Sequence, residues 1–316
     1  MASISDMIKE LRERTGAGMM DCKKALGENE HDIEMAIKYL REKGLSAAAK
    51  KAGRIAAEGI CGVAVSGDGK KAVVVEVNCE TDFAAAGEKF QAFVKSVENQ
   101  VMNSSAADID ALLAEKWQAD PSLTVAEAVS TIIASVGENI NIRRFERVQK
   151  TTPGAFCTYI HGNGKIAVLL DIETENQDQV NDAALEAGKN VCLQIAAMLP
   201  KFVSKDDIPQ DFLEKENSIL TAAAMNENAQ SEKPKPDKVM ENIIKGRLSK
   251  YLAEICLMDQ EYVKDNQFTV KQYLDGVAKE LGTPVTVKRF VCFERGEGIE
   301  KKTEDFAAEV AKVTGA

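Results

Sequence analysis

Apolar positions recur along this chain at two periods, and the switches between them divide it. Over residues 3–52 they return at helical spacing. Ile8 and Leu11 mark a first helix that stops at Thr15-Gly16-Ala17-Gly18. Met19, Met20 and Leu26 mark a second, broken at Asn29-Glu30-His31-Asp32, and Ile33, Ala36, Ile37 and Leu40 a third that ends near Gly44. Three short helices predict a small bundle with a small core, better suited to docking than to catalysis. Met19 and Met20 are adjacent and cannot both face inward. Either one lies on the surface as an adaptable contact residue, or both pack at the rim. The basic, alanine-rich stretch 46–54 reads as a linker or a helical extension with solvated charges.

From Gly59 the pattern becomes that of strands. Residues 60–66 and 71–79 are predicted strands joined by a hairpin turn at Gly67-Asp68-Gly69-Lys70. The run Val73-Val74-Val75-Glu76-Val77 reads as a strand buried on both faces. A helix over 87–102 carries Phe90, Phe93, Val94 and Val97 on one face; helical sequence follows at 109–117 and 125–136, then a third strand at 141–146. The plan then recurs: strand 156–161, turn Gly162-Asn163-Gly164-Lys165, strand 166–172, a helix through Ala184, Val191, Ile195 and Met198, and a closing strand at 285–291. Ala72-Val73-Val74-Val75-Glu76 matches Ala167-Val168-Leu169-Leu170-Asp171 in register, and Arg144-Phe145 matches Arg289-Phe290, so the core is read as an internal duplication.

The second repeat carries an insertion. Helical stretches at 212–228 and 237–257 flank Pro234 and Pro236, predicting a helical hairpin arm. Its apolar stripe is rich enough to serve association or packing back on the core. After Gly296 and Gly298, a short amphipathic tail helix with Phe306, Val310 and Val313 is too short to stand alone and must dock on its own core or on a partner. The expected fold class is α+β: a helical unit at 1–54, core halves at 55–150 and at 151–208 with 258–294, an arm at 209–257 and a C-terminal module at 295–316.

The first repeat's second strand ends on Thr81 and Asp82, both able to cap a helix, followed by Phe83. A phenylalanine at such a corner either staples the helix to the core or protrudes into a partner. The equivalent corner of the second repeat, Thr174-Glu175-Asn176, lacks an aromatic, so the unit folds without one.

Composition narrows the chemistry. The 316 residues are 45% hydrophobic and 28% charged, with a net charge of -10, which provides no global basic field for nucleic acid. Seven scattered cysteines, an odd number without close pairs, and no signal-peptide pattern point to free thiols in a reducing cytoplasm. No apolar run approaches the ~20 residues of a membrane span. Two distant histidines, His31 and His161, give no zinc spacing, and no nucleophile motif is evident, so no metal, cofactor or enzymatic activity is expected. The glycine–lysine turns lack phosphate-loop spacing. Glu80 and Asp82 fit capping better than acid–base work. Separate modules in series suit a protein that grips another macromolecule at several points.

Four motifs carry a family resemblance. Thr15-Gly16-Ala17-Gly18-Met19-Met20-Asp21-Cys22-Lys23-Lys24-Ala25-Leu26 is similar to the opening of bacterial elongation factor Ts. Val77-Asn78-Cys79-Glu80-Thr81-Asp82-Phe83, Gly137-Glu138-Asn139-Ile140-Asn141-Ile142-Arg143-Arg144 and Gly296-Glu297-Gly298-Ile299-Glu300-Lys301 follow in family order. The resemblance implies a guanine nucleotide exchange factor for elongation factor Tu, binding its GDP-bound and nucleotide-free forms. It also implies a ubiquitin-associated-like bundle, a duplicated core, a coiled-coil arm and a C-terminal helix. The family's Thr-Asp-Phe wedge, which displaces the supports of the GTPase's magnesium ion, falls on Thr81, Asp82 and Phe83, with Ala84 where valine is common. Further partner contacts carry over to Met19, Met20, Lys23, His161, Asp305 and Phe306. A homodimer or heterotetramer through the arm is left open, and the stretch 104–135 is longer than is usual in that family.

Overall fold

The computed structural model describes residues 3–231 and 233–300. The expected tail helix, with Asp305 and Phe306, lies outside the described residues. Helices α1 (Ile4–Thr15), α2 (Met19–Glu28) and α3 (Ile33–Lys51) enclose Leu11, Cys22, Ala25, Leu26, Ala36 and Ile37. Their ends follow local chemistry. Ser3 and Asp6 form a capping box on α1, Gly16 closes it in the left-handed region at φ 66°, and the Asp32 carboxylate accepts the Met35 N–H to start α3.

Two three-stranded antiparallel sheets form the centre of the molecule. The first has the order β1 (Glu58–Val65), β2 (Lys71–Cys79), β3 (Asn141–Gln149). Between β2 and β3 run α4 (Asp82–Ala86), α5 (Glu88–Asn103), α6 (Ile109–Ala114) and α7 (Val125–Val136). The second sheet has β4 (Gly154–His161) and β5 (Ile166–Glu173), paired with a last strand that closes the described fold. After β5 come α8 (Asp182–Met198), α9 (Gln210–Ala229), α10 (Asp237–Ile255), a short ribbon of β6 (Glu261–Tyr262) and β7 (Asp265–Thr269), α11 (Val270–Leu281) and that last strand, β8 (Thr286–Glu294). The class is α+β.

Strand alternation explains the layering. Val73, Val75, Val77 and Cys79 face Phe90, Phe93, Val94, Val97 and Val101 of α5. Ala72 and Val74 face the other sheet, where Ala167 and Leu169 meet them with Cys61 and Val63. The valine run is thus buried on both faces, as its composition predicts. Beyond the second sheet, Val168, Leu170 and Ile172 pack on α8 and α11.

The repeat is visible in the pairing. Glu76 lies opposite Arg144 and Asp171 opposite Arg289, and each ladder slips at the next residue. Gly59 and Gly154 take φ of 135° and 136°, and an added Cβ would fall 2.1 Å from the Val77 carbonyl oxygen and 2.0 Å from that of Ile172. Each repeat then reaches across to its sister. Past β3, buried Lys150 donates to the Asp171 carboxylate and, at 2.9 Å, to the Ile172 carbonyl. Past β8, Arg295 pairs with Glu58 at 2.8 Å, and the Gly296 N–H donates to the Glu76 carboxylate at 2.7 Å.

Departures from the sequence reading are local. The sequence reading assigns no elements between the arm and the closing strand at 285–291, where β6, β7 and α11 form. β6 is too short to show a period, whereas α11 carries the full helical signal of Val270, Leu274, Val277 and Leu281 between a Thr269 cap and Gly282. The closing strands run further than the predicted 146 and 291, to Gln149 and Glu294, because their pairing with β2 and β5 continues. In the hairpin of α9 and α10, Ala224, Met240 and Ile255 are buried, while Ile219, Met225 and Val239 remain exposed. No described helix is long and apolar enough to cross a membrane.

Candidate functional site

The corner after β2 is built by capping. Thr81 has extended backbone, and its hydroxyl accepts the Ala84 N–H at 3.1 Å, starting α4. Ala85 is buried in the first core and Ala84 packs partly against it. One turn of helix therefore points Asp82 and Phe83 outward. Phe83 is 86% exposed, more than any other large apolar residue described. The staple role is thereby excluded on geometry. Leaving such a ring in water forgoes roughly 1.5–3 kcal/mol of burial energy.

A second segment holds the corner from outside. Gly137 ends α7 in the left-handed region at φ 89°, which turns the chain so that Glu138 faces the end of β2. The Glu138 carboxylate accepts the Thr81 hydroxyl at 2.6 Å, the Thr81 N–H at 3.0 Å and the Glu80 N–H at 3.1 Å. Glu80 returns the contact: its carboxylate accepts the Asn139 N–H at 2.6 Å and pairs with Arg54 at 3.4 Å. Asn139 in turn donates its side-chain amide to the Arg54 carbonyl at 2.7 Å. Glu80 thus works as a structural acceptor, which fits the non-catalytic reading of the carboxylates.

Met19 and Met20 are both exposed, at 58% and 73%, so the alternative of one turned inward is not what forms. Cys22, Ala25 and Leu26 supply the inner face of α2, and Lys23 lies in solvent beside the methionines. The loop before them is fixed to the core: the Gly16 carbonyl accepts Lys89 Nζ at 3.1 Å and the Ser135 hydroxyl at 3.2 Å. Ser135 is two residues before Gly137, so one turn touches both the bundle and the Phe83 corner. The long stretch 104–135 serves this junction. Its Leu112, Trp117, Leu123 and Val125 enter the first core, while α7 packs against α3 and Arg41 reaches Ser122 at 2.9 Å.

His161 ends β4 and is exposed, its Nδ1 3.1 Å from the Tyr159 hydroxyl. The turn beside it lies over β1, where the Cys61 N–H donates to the Gly164 carbonyl at 2.7 Å. A Cβ on Gly164 would sit 2.6 Å from Ile60 Cγ2. His161 thus neighbours the strand whose first residue, Glu58, pairs with Cys79, but no described contact joins it to Phe83. Asp305 and Phe306 lie outside the described residues.

Among the described residues, no group of three or more histidine, cysteine or acidic side chains is placed to hold a metal. Burial pushes the Cys79 thiol up to about 12 and those of Cys157, Cys256 and Cys292 up to about 11, against nucleophilic use.

Comparison with known proteins decides the family. The family model described as elongation factor TS matches residues 80–297. An elongation factor Ts of Clostridium perfringens (strain SM101 / Type A) is 50% identical over 308 residues, 98% of each chain. Those of Clostridium novyi (strain NT) and Clostridium kluyveri (strain NBRC 12016) are 47% and 48% identical, over 97% and 98% of this chain and 97% of their own. The chain belongs to the elongation factor Ts family. Within this elongation factor Ts fold, the sequence reading singled out Phe83 and its cap but gave no role to Glu138 or Asn139, and it read Glu80 as a cap where its carboxylate instead holds the Asn139 N–H and Arg54. Their signal lay in the Gly137–Arg144 motif, where a helix-ending glycine precedes a carboxylate and an amide.

Proposed function

We propose that the chain is a nucleotide exchange factor for elongation factor Tu in translation elongation. It binds the GDP complex and the nucleotide-free state, and Thr81, Asp82 and Phe83 form a wedge that disturbs the supports of magnesium and GDP in the GTPase. The observation that carries this reading is Phe83: 86% exposed, on a corner fastened from both sides. An exposed ring on a rigid mount costs little ordering entropy when a partner buries it.

Exchange needs no covalent step, and the chain is not an enzyme acting on a small molecule. It must favour the nucleotide-free partner over the GDP form, and by reciprocity GDP weakens its binding by the same factor. Burying one phenylalanine gives roughly 1.5–3 kcal/mol, one to two decades. Full exchange therefore draws on other contacts: Met19, Met20 and Lys23 on a ubiquitin-associated-like docking unit, His161 on the second core half, Ala84 beside the wedge, and Asp305 and Phe306 in the C-terminal module. The hairpin of α9 and α10 is read as a coiled-coil arm, whose exposed Ile219, Met225 and Val239 are available for self-association. The divisions at residues 54, 150, 208, 257 and 294 are read as the borders of these modules, and a cytoplasmic place of action follows from the partner.

Release of a fluorescent GDP from elongation factor Tu tests the proposal. Catalytic amounts of the chain should release many equivalents. Release limited to one equivalent per chain would instead identify a passive holder of the same partner.

A further inference from the structure

We infer that Glu138 is the positioning residue that presents Phe83; the inference rests on Phe83 acting as proposed above. Helix α4 spans only Asp82–Ala86, too short to hold itself. Its direction is set by Thr81, and Thr81 is held at both its N–H and its hydroxyl by one carboxylate. An ionised carboxylate is an acceptor only, and the corner offers it three donors, so the match is chemically complete.

The sister repeat provides a comparison within the same molecule. There Asn176 caps the short turn Gln177–Gln179, and Gln179 reaches back to the Asn176 N–H at 2.9 Å. Gln177 ties that turn to Gly154 through bonds of 3.1 Å. The corner without an aromatic is thus fastened largely by its own residues and the start of β4. The corner that displays Phe83 is fastened by a carboxylate from the far end of α7. Because Ser135 of the same turn holds the Gly16 carbonyl, Glu138 also sets where Phe83 stands relative to Met19 and Met20. Its role is to fix an angle of presentation, so its loss should lower the rate reached in the complex more than the strength of binding.

The test uses the full chain with Glu138→Ala, Glu138→Gln, Phe83→Ala and the Glu138→Ala/Phe83→Ala double variant, in release of fluorescent GDP from elongation factor Tu. Glu138→Ala should lower the maximal release rate about tenfold or more, the worth of charge-assisted bonds lost, with a half-saturating concentration changed by less than about threefold. Glu138→Gln should recover most of that rate: its amide oxygen takes the two backbone N–H groups and its NH2 donates to the Thr81 hydroxyl. The double variant should be no slower than Phe83→Ala alone, since Glu138 acts through the corner. Hydrogen exchange of the free chain should show the amides of residues 80–85 exposed by Glu138→Ala while the β2 amides before them stay protected. If Glu138→Ala does not fold, Glu138→Asp, whose shorter side chain cannot reach all three donors at once, carries the same kinetic and exchange expectations. A parental maximal rate in Glu138→Ala, or a loss confined to half-saturation, overturns the inference provided Phe83→Ala is slow. If Phe83→Ala itself releases GDP at the parental rate, the proposed function has failed instead; unchanged exchange at residues 80–85 would then overturn the clamp as well.

Discussion

Phe83 and Phe90 lie on either side of the break between α4 and α5, and replacing each by alanine should separate function from folding. Phe90 is fully buried in the first core, and Phe90→Ala should cost about 3–5 kcal/mol. Phe83 is 86% exposed, so the folded chain gains little of the roughly 1.5–3 kcal/mol that a buried ring is worth. Its loss should cost under about 0.5 kcal/mol, and alanine's better helix propensity returns a few tenths. The melting temperature of Phe83→Ala should thus stay within about 2 °C of the parent. Under the proposed function, GDP release at saturating factor should nevertheless slow by roughly one to two decades, the burial energy of the ring removed. Calorimetry and stopped-flow fluorescence on the same preparations measure both quantities. A fall of more than about 5 °C for Phe83→Ala would show that the ring is a staple in solution. An unchanged release rate with unchanged stability would show that the exposed ring has no part in exchange.

Three further outcomes follow from the core. Gly59→Ala and Gly154→Ala should each cost at least about 2 kcal/mol in urea unfolding, since a Cβ would meet a strand carbonyl oxygen at 2.1 Å or 2.0 Å where φ is already 135° or 136°. Lys150→Met should cost up to about 3–5 kcal/mol by leaving the buried Asp171 carboxylate with Arg289 at 3.5 Å as its remaining ion-pair partner, and adding Asp171→Leu should recover much of it; equal stabilities for the single and double variants would refute the pairing. Burial pushes the Glu98 carboxyl upward, and Lys95 at 2.9 Å offsets this only in part. Between the unfolded value of about 4.3 and the raised folded value, the folded chain keeps a proton that the unfolded chain has released, so stability falls as pH rises through that window. Glu98→Gln should therefore raise the melting temperature at pH 7 and lose that advantage near pH 4; an advantage independent of pH would refute the assignment.

What the sequence disclosed, and what it did not, divides by the range of the interaction. The valine strand, its hairpin and the matching run at Ala167–Asp171 were legible because burial on both faces leaves a continuous apolar stretch, and because a duplicated ladder repeats its register. Helix α11 carried the same kind of signal in its spacing and caps but was not read from it. Phe83 was legible only as a choice between two roles, since a staple and a probe have the same local pattern. The choice is made by contacts from elsewhere. Glu138 lies far along the chain from Thr81, and its carboxylate meets the corner only because Gly137 turns the chain at the end of α7. No period of 2.0 or 3.6 residues encodes such a tie. The same limit applies at the bundle, where the Gly16 carbonyl receives Ser135 and Lys89 across most of the first core half. These long-range polar ties do little to choose the fold, which burial of the two sheets already determines. They decide instead the angle at which exposed apolar side chains leave it. Under the proposed function that angle is the functional variable, and Glu138, Ser135 and Lys89 are the residues that tie the Phe83 corner and the bundle to the core.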